Sequence, residues 1–367
     1  MSYLLKDLYS PAFYGKLTNA LLLTVPAFDR DKFLKEIFIA EFESKELKER
    51  MKHTTNVIHR FFPENYNDTI EIIKKTIVEL RKIGIGEDGL AFMFLPDYIE
   101  TYGMDDFDTS VEALEFVTQF VSCEFAVRPF ILKYGDKMMR RMQQWSLHES
   151  HKVRRLASEG SRPRLPWAMG IPFLKKDPGA VLPILENLKH DPAEYVRRSV
   201  ANNLNDIAKD HPGIVLEIAK KWSGISPETD ALIKHGCRTL LKQGHPEILK
   251  HYGLNDHGMI LKDFHLLTPD IRMGESLAFS FTIQNELLTK QKVRLEYAIY
   301  YKKQNGQHHK KVFKISERIY PAGMKVNILR KQKFVLITTR RFHLGNHRIA
   351  VIINGAEKQA SDFNLHA

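Results

Sequence analysis

At 367 residues, with 43% hydrophobic and 10% aromatic side chains, the chain has the composition of a globular protein large enough for two domains. The longest early apolar run, residues 20–25, is far too short to cross a bilayer, so neither a membrane segment nor a targeting leader is expected. The net charge of +11 is unevenly placed: residues 260–367 carry 19 basic and 8 acidic side chains, residues 1–127 carry 14 against 22, and residues 128–176 carry 12 against 3. Positive charge gathered into one central stretch and one terminal region is the footprint of a polyanion binder, although a merely soluble basic protein can share the same total. Cys123 and Cys237 provide no disulfide framework and no metal spacing, which suits a reducing cytosol.

From the N-terminus to about Gly103 the pattern is helical. Phe33, Ile37, Phe38 and Phe42 recur near a 3.6-residue period, as do Ile70, Ile73, Ile77 and Leu80. Glu43, Glu46 and Glu49 decorate an outer face, and this acidic region reads as scaffold turned away from any nucleic acid. From about Asp108 the helices shorten and pair. Helices are predicted over 111–120, over 123–133 with Ser122 as N-cap, and over 138–145 beyond Gly135. Further helices are predicted over 178–188, 192–209, 212–222 and 227–241, each opening on a proline in the first turn, where a missing N–H costs nothing.

Val153-Arg154-Arg155 recurs as Val196-Arg197-Arg198 and, more weakly, as Ile233-Lys234-His235, each time on the second helix of a pair. Helix pairs repeating at about 40 residues predict a HEAT-like α-solenoid whose second helices line one concave surface. Around residues 252–259 the period changes to alternation. Leu277, Phe279, Phe281 and Ile283 alternate, then Val293, Leu295, Tyr297 and Ile299, then Val312, Phe313 and Ile315, then Phe334 and Leu336, then Ile349, Val351 and Ile353. With a hairpin turn at Asn305-Gly306, this predicts an immunoglobulin-like β-sandwich of about seven strands. The expected domains are therefore a helical-repeat domain over 1–254 and a basic sandwich over 260–367. Basic residues of the sandwich gather at Lys302, Lys303, Lys310 and Lys311, at Arg330, Lys331 and Lys333, and at Arg340 and Arg341.

The central stretch 151–167 holds the most unusual mixture. Val153, Leu156 and Ala157 form a buried stripe, Gly160 ends the helix, and Pro163 and Pro166 keep the chain out of helix up to Trp167. Arg154, Arg155, Arg162 and Arg164 surround Glu159 and, with Arg198, are the candidates for phosphate contacts, Asn202 being a further candidate for DNA contact. Two further acids stand among basic residues on second helices. Glu124 opens one, and Asp206 completes an i, i+4, i+8 line with Arg198 and Asn202 opposite the stripe of Val196, Val200, Leu204 and Ile207. Singly, each has a plain alternative. Arg155 and Glu159 can be a surface ion pair worth a few tenths of a kcal/mol. Trp167 can anchor a loop, Glu124 can answer a helix dipole, and Asp206 can cap a turn. Jointly, three carboxylates on a phosphate-seeking face call for a cation. An N-alkylated, positively charged nucleobase supplies one, because carboxylates attract it, stabilise the oxocarbenium-like sugar it leaves, and position water. Trp167 can add stacking or cation–π contact. No glycine-rich phosphate loop, zinc spacing or nucleophile elbow competes.

The blocks Ser122–Phe130, Val153–Trp167 and Arg197–Asp206 resemble the AlkC family of HEAT-like-repeat DNA glycosylases, relatives of AlkD, over roughly residues 1–255. The terminal sandwich resembles the immunoglobulin-like domain of one AlkC subgroup. That resemblance implies a monofunctional DNA glycosylase of base excision repair, excising N3-methyladenine and N3-methylcytosine from double-stranded DNA without metal or cofactor. It also implies Glu124, Glu159 and Asp206 as catalytic carboxylates and Trp167 as a lesion-side contact. Glycosylases generally flip the target base into a pocket, whereas this family is thought to act on a base left near the stack of bent DNA; both routes stay open. A cytoplasmic, nucleoid-associated monomer is expected. The alternative is a catalytically silent solenoid that binds nucleic acid or protein.

Overall fold

The computed structural model describes residues 4–85, 89–335 and 341–367. The chain separates by its contacts into two compact units, Met1–Gly236 and Cys237–Ala367. In the first, an α-helical solenoid runs through α1 (Pro11–Thr24), α2 (Arg30–Ile37), α3 (Leu47–His59), α4 (Tyr66–Lys82), α5 (Phe94–Tyr102), α6 (Phe107–Val117) and α7 (Val127–Tyr134). It continues through α8 (Asp136–Trp145), α9 (His151–Gly160), α10 (Pro172–Lys176), α11 (Leu182–Leu188), α12 (Glu194–Ile207), α13 (Pro212–Trp222) and α14 (Pro227–Gly236). The predicted stripes are the buried ones: Ile70, Ile73, Ile77 and Leu80 seal α4 against α1 and α6, and Val196, Val200, Leu204 and Ile207 do the same for α12.

Several helix limits differ from the sequence expectation, each for a local reason. The segment 123–126 is a turn, and α7 begins only at Val127; the Ser122 hydroxyl caps nothing there because it is bound to Glu124 and Arg155. Pro178 and Pro192 lie ahead of α11 and α12 in the connecting turns, whereas Pro212 and Pro227 do open their helices. The expected 227–241 helix stops at Gly236, where a Cβ would stand 2.9 Å from the Leu204 Cβ; only hydrogen lets α14 approach α12 this closely.

The second unit opens with α15 (Arg238–Gln243) and α16 (Pro246–His251). Its strands are β1 (Met259–Leu266), β2 (Asp270–Arg272), β3 (Ser276–Asn285), β4 (Gln291–Lys302), β5 (His308–Tyr320), β6 (Lys325–Lys333), β7 (Gly345–Ile353) and β8 (Ala356–His366). They form a three-stranded sheet, β1-β3-β6, and a five-stranded sheet, β2-β8-β7-β4-β5, in which only the β2–β8 pairing is parallel among the described residues. Leu277, Phe279, Phe281 and Ile283 pack with Val293, Leu295, Ile299, Ile349, Val351 and Ile353 in one core, the alternation that the sequence carries. Leu336 and Arg340 lie outside the described residues. The change of period at 252–259 marks where strands begin, yet the compact unit begins at Cys237. Close backbone approach and polar ties explain this. A Cβ on Gly244 would lie 2.8 Å from the Gly355 carbonyl, Lys292 donates to the Tyr252 carbonyl at 3.1 Å, and Lys358 pairs with Asp256 at 2.8 Å.

Candidate active site

The repeated Val-Arg-Arg motif first does architectural work. Helix α12 packs against both α9 and α14, and Val153, Val196 and Ile233 are buried at the equivalent position of each. Arg154 donates through Nη1 to the carbonyls of His148 and Glu149; Arg197 donates through Nη1 to those of Asp191 and Pro192, at the same sequence offsets. The second residue of the motif thus satisfies the loop carbonyls that lead into its own helix. Arg154 adds a two-pronged ion pair to Asp191, at 2.5 and 3.0 Å.

The third residue and the acids around it form a continuous chain of charges. Arg155 binds Ser122 Oγ (2.7 Å) and Glu124 Oε2, and it stands 3.7 Å from Glu159 Oε1. Arg162, folded back from the loop after α9, reaches Glu159 Oε1 at 2.6 Å and Asp206 Oδ2 at 2.8 Å. Lys209 closes the series on Asp206 Oδ1 at 2.8 Å. Three carboxylates from three places in the sequence are therefore joined through two guanidiniums. Its middle is out of water: Glu159, Arg162 and Asp206 are 5%, 6% and 1% exposed, whereas Glu124 and Arg155 are half-buried and Lys209 is exposed. Ions this deep hold their positions because each has a partner, and removing one partner of such a pair costs about 3–5 kcal/mol.

The acids are not equivalent. Both arginines use Oε1 of Glu159, and among the described residues no group donates to its Oε2. Glu124 likewise takes Ser122 and Arg155 on Oε2 alone. Both side chains line a cleft of about 660 Å³, with Arg162, Phe125, Met93 and Trp167. Asp206 has both oxygens occupied and holds Arg162 from beneath. A carboxylate with one free oxygen at a cleft can accept a proton from water or face a developing cation, in a setting where electrostatics are weakly screened.

Trp167 is 72% exposed and sits at φ +65°, a left-handed conformation that a bulky residue adopts only under restraint. The restraints are visible. Lys48 Nζ donates to the Trp167 carbonyl at 2.6 Å, and the buried Arg128 donates to the carbonyls of Gly160 (2.9 Å), Arg162 (2.8 Å) and Met169 (2.7 Å). Arg128 is thus an internal staple for the whole 160–169 loop. Burial, then the charge of Arg162, pulls its pKa down to about 10.

The arginines expected at phosphates are mostly engaged elsewhere. Arg154, Arg155 and Arg162 serve Asp191, Glu124, Glu159 and Asp206, and Arg164 pairs with Asp210 at 2.7 Å while staying partly exposed. Arg198 is exposed and in no ion pair among the described residues; Asn202, one turn on, is half-buried. The acidic N-terminal helices do not all turn away: Glu46, Leu47 and Lys48 at the start of α3 line the cleft, drawn there by the Lys48–Trp167 tie. Sequence reading assigned no role to Arg128 or Lys48. An arginine inside the apolar run 125–131 was the available signal for the first; nothing local marks the second.

The family described as "Uncharacterised protein YhaZ, C-terminal Ig-like domain" matches residues 260–367. YhaZ of Bacillus subtilis (strain 168) is 42% identical over 362 residues, covering 98% of this chain and 99% of the relative. The structure of Pseudomonas fluorescens alkylpurine DNA glycosylase AlkC, bound to DNA containing an abasic site analog, superposes with a TM-score of 0.93 at 34% identity, each chain covered over 100% of its length. A solenoid and sandwich shared from end to end, at these identities, place the chain in the family of YhaZ, structurally close to the AlkC DNA glycosylases.

Proposed function

We propose that the protein is a monofunctional DNA glycosylase that hydrolyses the N-glycosidic bond of cationic N3-methylated bases, 3-methyladenine and 3-methylcytosine, in double-stranded DNA. The carrying observation is the charge chain that leaves Glu159 Oε2 and one oxygen of Glu124 open to a cleft with an exposed indole. Likeness to a DNA-bound glycosylase over the full chain supports it. An N-alkylated base is already positive, so the bonding pair leaves with it and the base departs neutral with no general acid required. As that bond lengthens, positive charge grows on the sugar, and Glu124 and Glu159 stabilise it. Water then bonds to the anomeric carbon and gives up its proton to Glu159 and on to solvent. Arg155 and Arg162 hold the carboxylates in place, and Asp206 acts as a positioning residue through Arg162. The indole of Trp167 offers a face to the cationic ring.

The test is release of free 3-methyladenine and 3-methylcytosine from methylated duplex DNA. Wild type releases base; Glu159→Gln lowers the single-turnover rate about 100-fold or more while duplex affinity stays within a factor of about two. Equal rates in the variant overturn the assignment of Glu159. Duplex binding by a wild type that releases no base favours a silent DNA-binding solenoid.

A further inference from the structure

Beside the carboxylate cleft lies a smaller chamber of about 180 Å³. Lys48, Met93, Phe125 and Trp167 line both spaces, so the two adjoin along these side chains. None of the three chained carboxylates lines the chamber. Its acids are instead Asp97 and Glu100, one turn apart on α5, with Met51 and Met169 among the apolar lining. Asp97 is 8% exposed; the Lys52 ammonium stands 3.4 Å from its Oδ2 and 3.5 Å from its Oδ1, and among the described residues no group donates a hydrogen bond to Oδ2. A buried carboxylate whose cation stands at the edge of hydrogen-bonding distance is short of donors, and it can take one supplied from outside the chain. Glu100, half-buried beside it, has its carboxyl pushed up to about 7 by burial first and then by the Asp97 charge, against Lys52 and Lys48.

The chamber is well below the roughly 300–1,000 Å³ of pockets for drug-sized ligands, which suits a single heterocycle and excludes a nucleotide. Thioethers and aromatic faces give soft walls for a flat ring. A carboxylate short of donors, with a second acid one turn on, selects a ring that carries N–H donors or a proton. The geometry points to a product site: the chamber takes up the methylated base after the glycosidic bond has broken, holding it against Phe125, Trp167 and the methionines with Asp97 and Glu100 as acceptors. This rests on the glycosylase reading, and it adds to that reading a place where the leaving group goes without crossing the cleft mouth that the DNA occupies.

The chain has three tryptophans, of which Trp145 and Trp222 are each 1% exposed and Trp167 is 72% exposed. Stacking of a base on Trp167 is therefore read directly by quenching of exposed-indole fluorescence. The full-length protein is titrated with free 3-methyladenine by fluorescence and by calorimetry, with Trp167→Phe as the optical control. Saturable binding is expected, weakened about 10-fold in Asp97→Asn and in Glu100→Gln, while single-turnover release from methylated DNA stays within twofold of wild type. Inhibition of multiple turnover by added 3-methyladenine should also be relieved in both variants. Melting curves confirm folding, and Glu100→Gln, at a half-buried position, carries the test if Asp97→Asn does not fold. Unchanged affinity in the folded variants overturns the product site. Excision without any calorimetric binding of free base overturns it too and leaves the glycosylase reading standing. Binding without excision removes the glycosylase reading and the product role with it, leaving only a heterocycle pocket.

Discussion

At the scale of single residues, the first unit is governed by where it keeps its buried ions. Arg155 and Arg162 each answer two carboxylates, and Arg128 answers three carbonyls, so none of these buried cations lacks a partner. Glu100 is the exception among the acids, because its carboxyl is lifted from the ordinary 4.5 to about 7. A raised folded-state pKa means the protonated form fits the fold better. Its stability is fully present below about pH 4.5, falls as the pH rises toward 7, and is gone above that. Glu100→Gln keeps the neutral shape at every pH. The variant should therefore melt with the wild type near pH 4.5 and progressively higher than it up to pH 7.5, by differential scanning calorimetry; a pH-independent difference would show that Glu100 titrates normally. The Arg155–Glu159 spacing was legible from i, i+4 alone. That Arg162 folds back onto Glu159 and reaches Asp206, 44 residues on, was not, because a loop's return path has no periodicity to read.

At the scale of elements, the same logic separates what the sequence shows from what packing decides. Hydrophobic stripes located the cores of α4, α9 and α12 and the inner faces of β3, β4 and β7, since burial selects side chains directly. Strand β6 was missed: its exposed face carries Lys325, Asn327, Leu329, Lys331 and Lys333, and Val326 and Ile328 are too few to show alternation. Prolines misled at 178 and 192 because a proline fits a preceding turn as well as a first helical turn. Gly160 read as a helix terminator, and it does end α9, but its tighter constraint comes from the neighbouring helices. A Cβ there would meet Val127 Cγ1 at 2.5 Å and Met142 Cε at 3.0 Å. Glu159 precedes this glycine, so the fit of α7 against α9 also sets the carboxylate's place. Gly160→Ala should cost about 1–3 kcal/mol of stability, as overpacking does, and should slow base release in the variant that still folds. Chemical denaturation measures the first. A neutral result would mean that α7 and α9 slide apart freely.

On the proposed reading, the question for the whole molecule is which charges meet DNA, and the intramolecular pairs narrow it. Much of the central basic stretch is spent on its own acids, as Arg154, Arg155 and Arg162 show, so its surplus overstates the field available to a phosphate. Arg198 on the solenoid, and Arg330, Lys331 and Lys333 on β6, are exposed and in no ion pair among the described residues. Each phosphate neutralised by a cation releases counterions, so log K against log salt falls by about 0.9 for each phosphate met. Full-length Arg330→Gln/Lys331→Gln/Lys333→Gln should bind duplex more weakly at 50 mM salt, and the slope should be shallower by about 0.9 for each phosphate that these side chains neutralise in the wild type, up to three. Arg198→Gln should flatten it by about 0.9. Neither set touches the charge chain, so single-turnover release at saturating enzyme should hold near wild type while affinity drops. Fluorescence anisotropy across a salt series decides it. An unchanged slope for the triple variant takes β6 out of the interface, and an unchanged slope for Arg198→Gln takes the third residue of the α12 repeat out with it.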